Sequence, residues 1–325
     1  MNNYSWLQQK LHQLALSTHF MREATFDVEN FFKNTSEHNH GDNDDHIFIS
    51  GLARSGTTIL LNAIHESHEF SSLTYRDMPF VLGPNFWSKL SLKNKSNKFS
   101  ERAHGDGIKV SIDSPEAFEE VFWMTFNREK DDCAEKFKSY VGLINQKYQK
   151  KRYLSKNNQN IRRLEFITKV FPNATILITY RNPLQHANSL LDQHKRFIEI
   201  CKHDKFVSNY MKWIGHIEFG DHYKPIHEND INFKNNLEIN HWIEQWYLTY
   251  KTCFSSFNHK SNVHFISYEA LCRSKDSWLD LMKNIGIDQI YDYPFKESKK
   301  EIIVKYDRKI LDKASAIYSK LSGSN

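Results

Sequence analysis

His46-Ile47-Phe48-Ile49-Ser50-Gly51-Leu52-Ala53-Arg54-Ser55-Gly56-Thr57-Thr58, running on into Ile59-Leu60-Leu61-Asn62-Ala63-Ile64-His65-Glu66, is the stretch on which the fold turns. Residues 46–50 form a short apolar run with the length of a buried strand, and 57–66 have the length and apolar spacing of a helix. The six residues between them, 51–56, carry two glycines, which let a backbone turn tightly and approach a ligand closely. A helix that starts behind such a loop offers unpaired N–H groups and the positive end of its dipole, a seat for phosphate. The hydroxyls of Ser55, Thr57 and Thr58 add donors, and the guanidinium of Arg54 adds a fixed charge that can grip an oxyanion with two bonds. The segment is not the nucleotide-triphosphate loop G-x-x-x-x-G-K-[ST], because Thr57 stands where the lysine belongs.

A second unit of the same kind lies further along. Thr175–Tyr180 (TILITY) is a β-rich apolar run, broken by Arg181-Asn182-Pro183, after which Leu184–Phe197 continues with helical spacing. Pro183 suits a helix start. Arg181 falls at the end of a strand, where ligand sites of α/β folds form. No apolar strand ends in the aspartate that a magnesium site would need, which disfavours ATP chemistry. Val263–Ser267 (VHFIS) gives a third strand candidate, with Tyr268–Leu271 opening another helix. Ile239, Trp242, Ile243, Trp246, Tyr247, Tyr250 and Phe254 mark a helix with one aromatic, apolar face. Strands separated by helices predict a mainly parallel sheet covered on both faces, in one α/β domain over 1–325. Residues 1–45 read as N-terminal helices and a polar loop, and the core as 46–325. The polar tracts at about 85–160 and 198–238 read as helical or loop excursions from it.

The chain has 325 residues, 39% apolar and 14% aromatic, enough to bury a core, and a formal charge of +5. That charge suits an anionic ligand but falls short of a nucleic-acid-gripping surface. Cys133, Cys201, Cys253 and Cys272 are dispersed and suggest neither a metal knuckle nor a disulfide framework. No run approaches the length of a membrane span, and the N-terminus lacks the features of a signal peptide, so the expectation is a cytoplasmic protein.

HIFISGLARSGTTIL resembles the 5'-phosphosulfate loop of the sulfotransferases that use 3'-phosphoadenosine-5'-phosphosulfate (PAPS), in particular their bacterial and Golgi-type branches. FPNATILITYRNPLQHANSLL is similar to the 3'-phosphate segment of the same family, with a weaker echo at Ile266–Leu271. The resemblance implies a P-loop-like three-layer sandwich. It also implies donor binding by Arg54, Ser55, Gly56, Thr57 and Thr58 at one phosphate and by Arg181 and Ser189 at the other. PAP would be the product and no metal would be required. It points to Lys156, in YLSKNN, as the cation on the transferring sulfuryl, beside Arg54 on the leaving phosphate. The acceptor would be a hydroxyl or amine of a carbohydrate, lipid or small metabolite. Rival readings are a P-loop nucleotide kinase and a non-catalytic binder of a 3'-phosphonucleotide.

The base that takes the acceptor's proton is the open position. Asn158 occupies the place of the histidine used in the cytosolic branch, and an amide takes no proton. Asp77, past the first helix, and His104, in a glycine-flanked loop, are the candidates. Glu116, Glu119 and Glu120 come next, on one face of a helix opened by Pro115 and ordinarily solvated. His216, Glu218, His222 and His227 share a loop whose spacing matches no metal motif but could border an acceptor. Nine Lys and Arg between 136 and 163, with no acid from 136 to 164, read as a solvated basic face or a steering surface for polyanions.

Overall fold

Alternation along Ile47–Ser50 sets the layers, since successive side chains of a strand point to opposite faces. In the computed structural model, which describes residues 4–32, 45–90, 100–101, 109–297 and 301–323, Ile47 and Ile49 join one apolar cluster and Phe48 joins another. Leu154 and Leu177 follow the first pair, and Tyr153, Ile176 and Ile178 follow Phe48. A sheet buried on both faces follows.

The strands are β1 (Ile47–Ser50), β2 (Phe70–Ser71), β3 (Ser100–Glu101), β4 (Lys109–Val110), β5 (Arg152–Lys156), β6 (Thr175–Tyr180) and β7 (Val263–Ser267). Five of them form one sheet in the order β2-β5-β1-β6-β7, with every pairing parallel, while β3 and β4 pair antiparallel apart from it. The helices are α1 (Trp6–Leu16), α2 (His19–Phe31), α3 (Thr57–His65), α4 (Pro84–Leu90), α5 (Glu120–Thr125), α6 (Cys133–Tyr148) and α7 (Leu164–Val170). They continue with α8 (Pro183–His203), α9 (Lys205–Trp213), α10 (Ile239–Phe257), α11 (Tyr268–Arg273), α12 (Lys275–Asn284) and α13 (Arg308–Gly323). Residues of α3, α11 and α12 cover one face, through Leu60, Leu61, Ile64, Leu271, Trp278 and Met282. The other face takes α6, α8, α10 and α13, with Phe137, Leu190, Trp246 and Ala314 buried. This is the α/β sandwich expected, and α10 is the core helix that its aromatic spacing predicts.

Residues 135–163 depart from the reading as a loose excursion. α6 occupies half of that tract and buries Phe137, Tyr140, Val141 and Ile144, spaced three and four apart. β5 lies inside the sheet, with Ile47 opposite Leu154 and Ile49 opposite Lys156. The basic run is turned inward in part, while Lys138, Lys151 and Arg162 stay exposed. Lys147 pairs with the buried Asp77, Arg163 with Glu120 at 2.7 Å, and Arg152 donates to the carbonyls of Ile285 and Gly286 at 2.7 Å each.

Candidate active site

Parallel strands end together, so the loops after β1, β5 and β6 open on one edge of the sheet. The loop after β1 is held by its own residues. Ser55 Oγ lies 2.7 Å from the Leu52 carbonyl and 2.5 Å from Thr179 Oγ1 on β6. Tyr250 Oη of α10 donates to the Thr179 carbonyl at 2.7 Å and accepts from the Leu52 N–H at 3.3 Å. His186 of α8 lies with Nε2 2.8 Å from the Ala53 carbonyl. Burial, with Arg181 and Arg54 nearby, lowers its pKa to about 3. The ring is therefore neutral near physiological pH and holds the loop through an N–H donor. Ser55 thus serves as a strut of the loop.

Arg54 takes a left-handed backbone (φ 70°), a strained conformation for a residue with a side chain, and such strain concentrates at ligand sites. Its Nε donates to Ser189 Oγ at 3.4 Å, and Arg181 Nη1 donates to the Arg54 carbonyl at 3.3 Å. The loop, the β6 turn and the flank of α8 therefore meet around Arg54, Arg181 and Ser189. Glu269 of α11 braces the turn, lying 3.9 Å from Arg181 and accepting from the Asn182 N–H at 2.8 Å. Tyr268 faces both Arg181 and the loop, with the guanidinium 5.5 Å from its ring centroid. Sequence reasoning saw only a faint signal at Tyr268 and Glu269.

Gly56 caps α3 with φ 97°, and a Cβ there would stand 2.3 Å from Tyr268 Cδ2. Gly56→Ala is expected to lower stability by about 1–3 kcal/mol, the usual cost of overpacking, read as the urea midpoint. An unchanged midpoint would show that Tyr268 does not close over the loop. Thr57 and Thr58 lie buried in the first turn of α3. Thr57 Oγ1 donates to Asn158 Oδ1 at 3.3 Å, so the position of a nucleotidase lysine belongs instead to a neutral contact with the next strand's loop.

Lys156 closes β5, buried, with Nζ 4.0 Å from Glu116 Oε1. Glu116, Glu119 and Glu120 are not a solvated helical face. α5 begins only at Glu120, and Pro115 sits in a bridge opposite Thr74. Glu116 accepts from Tyr75 Oη at 3.1 Å. Glu119 accepts from Ser155 Oγ at 2.6 Å and Asn160 Nδ2 at 2.9 Å, and Glu120 accepts from Asn157 Nδ2 and Arg163 Nη2 at 2.7 Å each. These carboxylates tie α5 and its approach to the loop after β5. Burial raises the Glu120 pKa, against the opposing pull of Arg163.

Asp77 does not fit a base. It is wholly buried and paired with Lys147. One carboxylate oxygen also accepts from Tyr148 Oη at 2.7 Å and from the Thr74 N–H at 2.7 Å, in a capping box. A carboxylate so engaged fastens the 75–77 turn to α6. His104 lies outside the described residues.

Behind the loop a cleft of about 330 Å³, open mouth included, is lined by Leu52, Ala53, Leu190, Ile226 and Trp242, with Asn158, Gln159, Glu218, Tyr223, Lys224 and Gln245. Residues 214–226 reach it because Gly215 turns the chain after α9 with φ 73°, packed so closely that a Cβ would stand 2.4 Å from Glu120 Cγ. The histidines of this segment have other partners: His216 is 3.3 Å from the Ala117 carbonyl and His227 is 3.9 Å from Asp230. Among the described residues, no group of three or more His, Cys, Asp or Glu could hold a metal ion.

A model of the Sulfotransferase family matches residues 46–284, well over half of the chain. The chain belongs to the sulfotransferase family. No curated protein matches it in sequence. Among solved structures, a sulfotransferase from Mycobacterium tuberculosis is similar with a TM-score of 0.51 at 11% identity, over 98% of this chain and 87% of that one. A sulfotransferase from Alicyclobacillus acidocaldarius gives 0.44 at 13%, over 86% and 93%. One from Mycobacterium avium gives 0.45 at 11%, over 99% and 79%. The first of these likenesses speaks for the fold. The family match speaks for a transferase of sulfuryl groups. No helix of this sulfotransferase, among the described residues, is long and apolar enough to cross a membrane.

Proposed function

We propose that this sulfotransferase takes its sulfuryl group from PAPS and transfers it to a hydroxyl or amine of a small acceptor, releasing PAP. The observation that carries this reading is the convergence of Arg54, Arg181 and Ser189 beyond the ends of adjacent parallel strands. Two guanidinium groups, a hydroxyl and the N-terminus of α3 suit a ligand with two separate phosphates. The N–H groups behind Gly56, with Thr57 and Thr58, would hold the 5' end and Arg181 with Ser189 the 3'-phosphate.

Sulfuryl transfer, like phosphoryl transfer, passes through a loose state whose charge gathers on the leaving oxygen, so catalysis rests on position and on cations. Arg54 would meet the leaving phosphate. Lys156, its charge held in a desolvated place beside Glu116, would meet the sulfuryl oxygens.

PAP should raise the melting temperature well beyond equal concentrations of AMP or ATP, since ligand binding stabilises the native state by mass action. Arg181→Ala should weaken PAP binding by about ten- to a hundredfold, the worth of a charge-assisted contact. Calorimetry with PAP, AMP and ATP measures both. Equal responses to PAP and AMP, or an unchanged PAP affinity in folded Arg181→Ala, would remove the 3'-phosphate site.

A further inference from the structure

We infer that Glu218 is the general base, and that the cleft it lines takes a small uncharged acceptor with an apolar body and two hydroxyls. This rests on the sulfuryl-transfer reading above and adds the proton acceptor and the substrate class.

Glu218 differs from every other carboxylate near the site in how it is held. Glu116, Glu119, Glu120 and Asp77 are each fastened by two or more close contacts, and none lines the cleft. Glu218 lines it together with Leu52 and Ala53 of the phosphate loop, and it accepts a single long bond, 3.4 Å, from Asn158 Nδ2. Asn158 Oδ1 in turn receives Thr57 Oγ1 at 3.3 Å. The amide therefore spans the gap between the first turn of α3 and Glu218. A carboxylate linked to the first turn of α3 through one amide, and lining the same cleft as the loop, is within reach of a hydroxyl that enters there.

The lining defines what fits. Leu190, Ile226 and Trp242 offer apolar contact to a molecule entering the cleft. Gln245, 3% exposed on α10, also lines the cleft, and its Oε1 meets no donor among the described residues. A buried acceptor without a donor costs free energy unless a ligand supplies one. A second hydroxyl on the acceptor would do so. In the reaction the acceptor oxygen forms a bond to sulfur and the bond from sulfur to the bridging phosphate oxygen breaks. That electron pair stays on the phosphate of PAP, and the hydroxyl proton passes to the Glu218 carboxylate.

The test uses the full chain, labelled PAPS, and two probe acceptors, cyclohexanediol and para-nitrophenol, with PAP melting shifts recorded for each protein. A phenol that is already partly ionised near neutral pH needs less help from a base, whereas an aliphatic diol needs it fully. Glu218→Gln should keep the PAP shift and lose about 10²–10⁴-fold in kcat/KM with the diol. Its loss with the phenol should be smaller by at least about tenfold. Retained turnover of the diol by Glu218→Gln would overturn the assignment. Equal losses with both acceptors would overturn it too, since they would mark a positional role. A wild type that responds to PAP but does not sulfate the diol would overturn the acceptor class. A wild type without a PAP response would fell the donor reading itself, and this inference with it.

Discussion

Asp77→Ala is expected to cost about 3–5 kcal/mol of stability, the usual consequence of removing one partner of a buried ion pair. Lys147 would be left as a nearly buried ammonium without its counter-charge, since its side chain is only 8% exposed and Asp77 is fully enclosed. Tyr148 Oη and the Thr74 N–H would lose their acceptor as well. The double variant Asp77→Leu with Lys147→Met should recover much of the loss, because an apolar pair of similar volume avoids the stranded charge. Urea denaturation of the three proteins measures this. If Asp77→Ala were as stable as the parent while turnover disappeared, Asp77 would return as a catalytic candidate.

Lys156→Met should lower kcat by about a hundred- to a thousandfold, the range found when one preorganised group is taken from a developing charge. The methionine keeps the length of the stem, so the end of β5 should hold its place between β1 and β2. PAP affinity should change by little, because the cation acts on the sulfuryl group, which PAP lacks. Lys156 is a compact charge near Glu116, so Lys156→Arg should not restore full turnover: its planar fork needs more room than a buried ammonium. Parallel loss of PAP affinity and kcat would instead place Lys156 among the donor-binding groups.

The parts of this molecule that were legible in sequence are those where local and global signals agree. β1 and β6 are nearly unbroken apolar runs, each followed by a turn and a helix, and such runs are what a strand buried on both faces requires. β5 carries the opposite signal. Only Tyr153 and Leu154 of its five residues read as apolar, yet Ser155 and Lys156 are buried, because Glu119 and Glu116 arrive from forty residues upstream to meet them. No window on β5 itself contains that information. α6 could have been found: Phe137, Tyr140, Val141 and Ile144 keep helical spacing beneath the lysines that drew attention away.

The site divides in the same way. Arg54, Arg181 and Ser189 lie on the legible units and come together in space. Asp77 was misplaced because distance from a helix along the chain does not say which way a carboxylate points, and a capping box turns this one inward. Glu218 could be noticed in sequence only as part of a histidine-rich loop. Its position beside Asn158 depends on the turn at Gly215, a tertiary fact.

The all-parallel order β2-β5-β1-β6-β7 also governs when the site can come into being during synthesis. β1 leaves the ribosome early, but its two partners are residues 152–156 and 175–180, more than a hundred positions later. Until they emerge, both edges of the most central strand stand open, and an open apolar edge invites pairing with other chains. Such long-range closures are slow to form. The loop at 51–56 cannot take its working shape before Thr179 and Tyr250 arrive to hold it. A donor nucleotide in the cell therefore has nothing to grip until some four-fifths of the chain is made. Any help it gives to folding comes only at the end, by capturing the finished molecule.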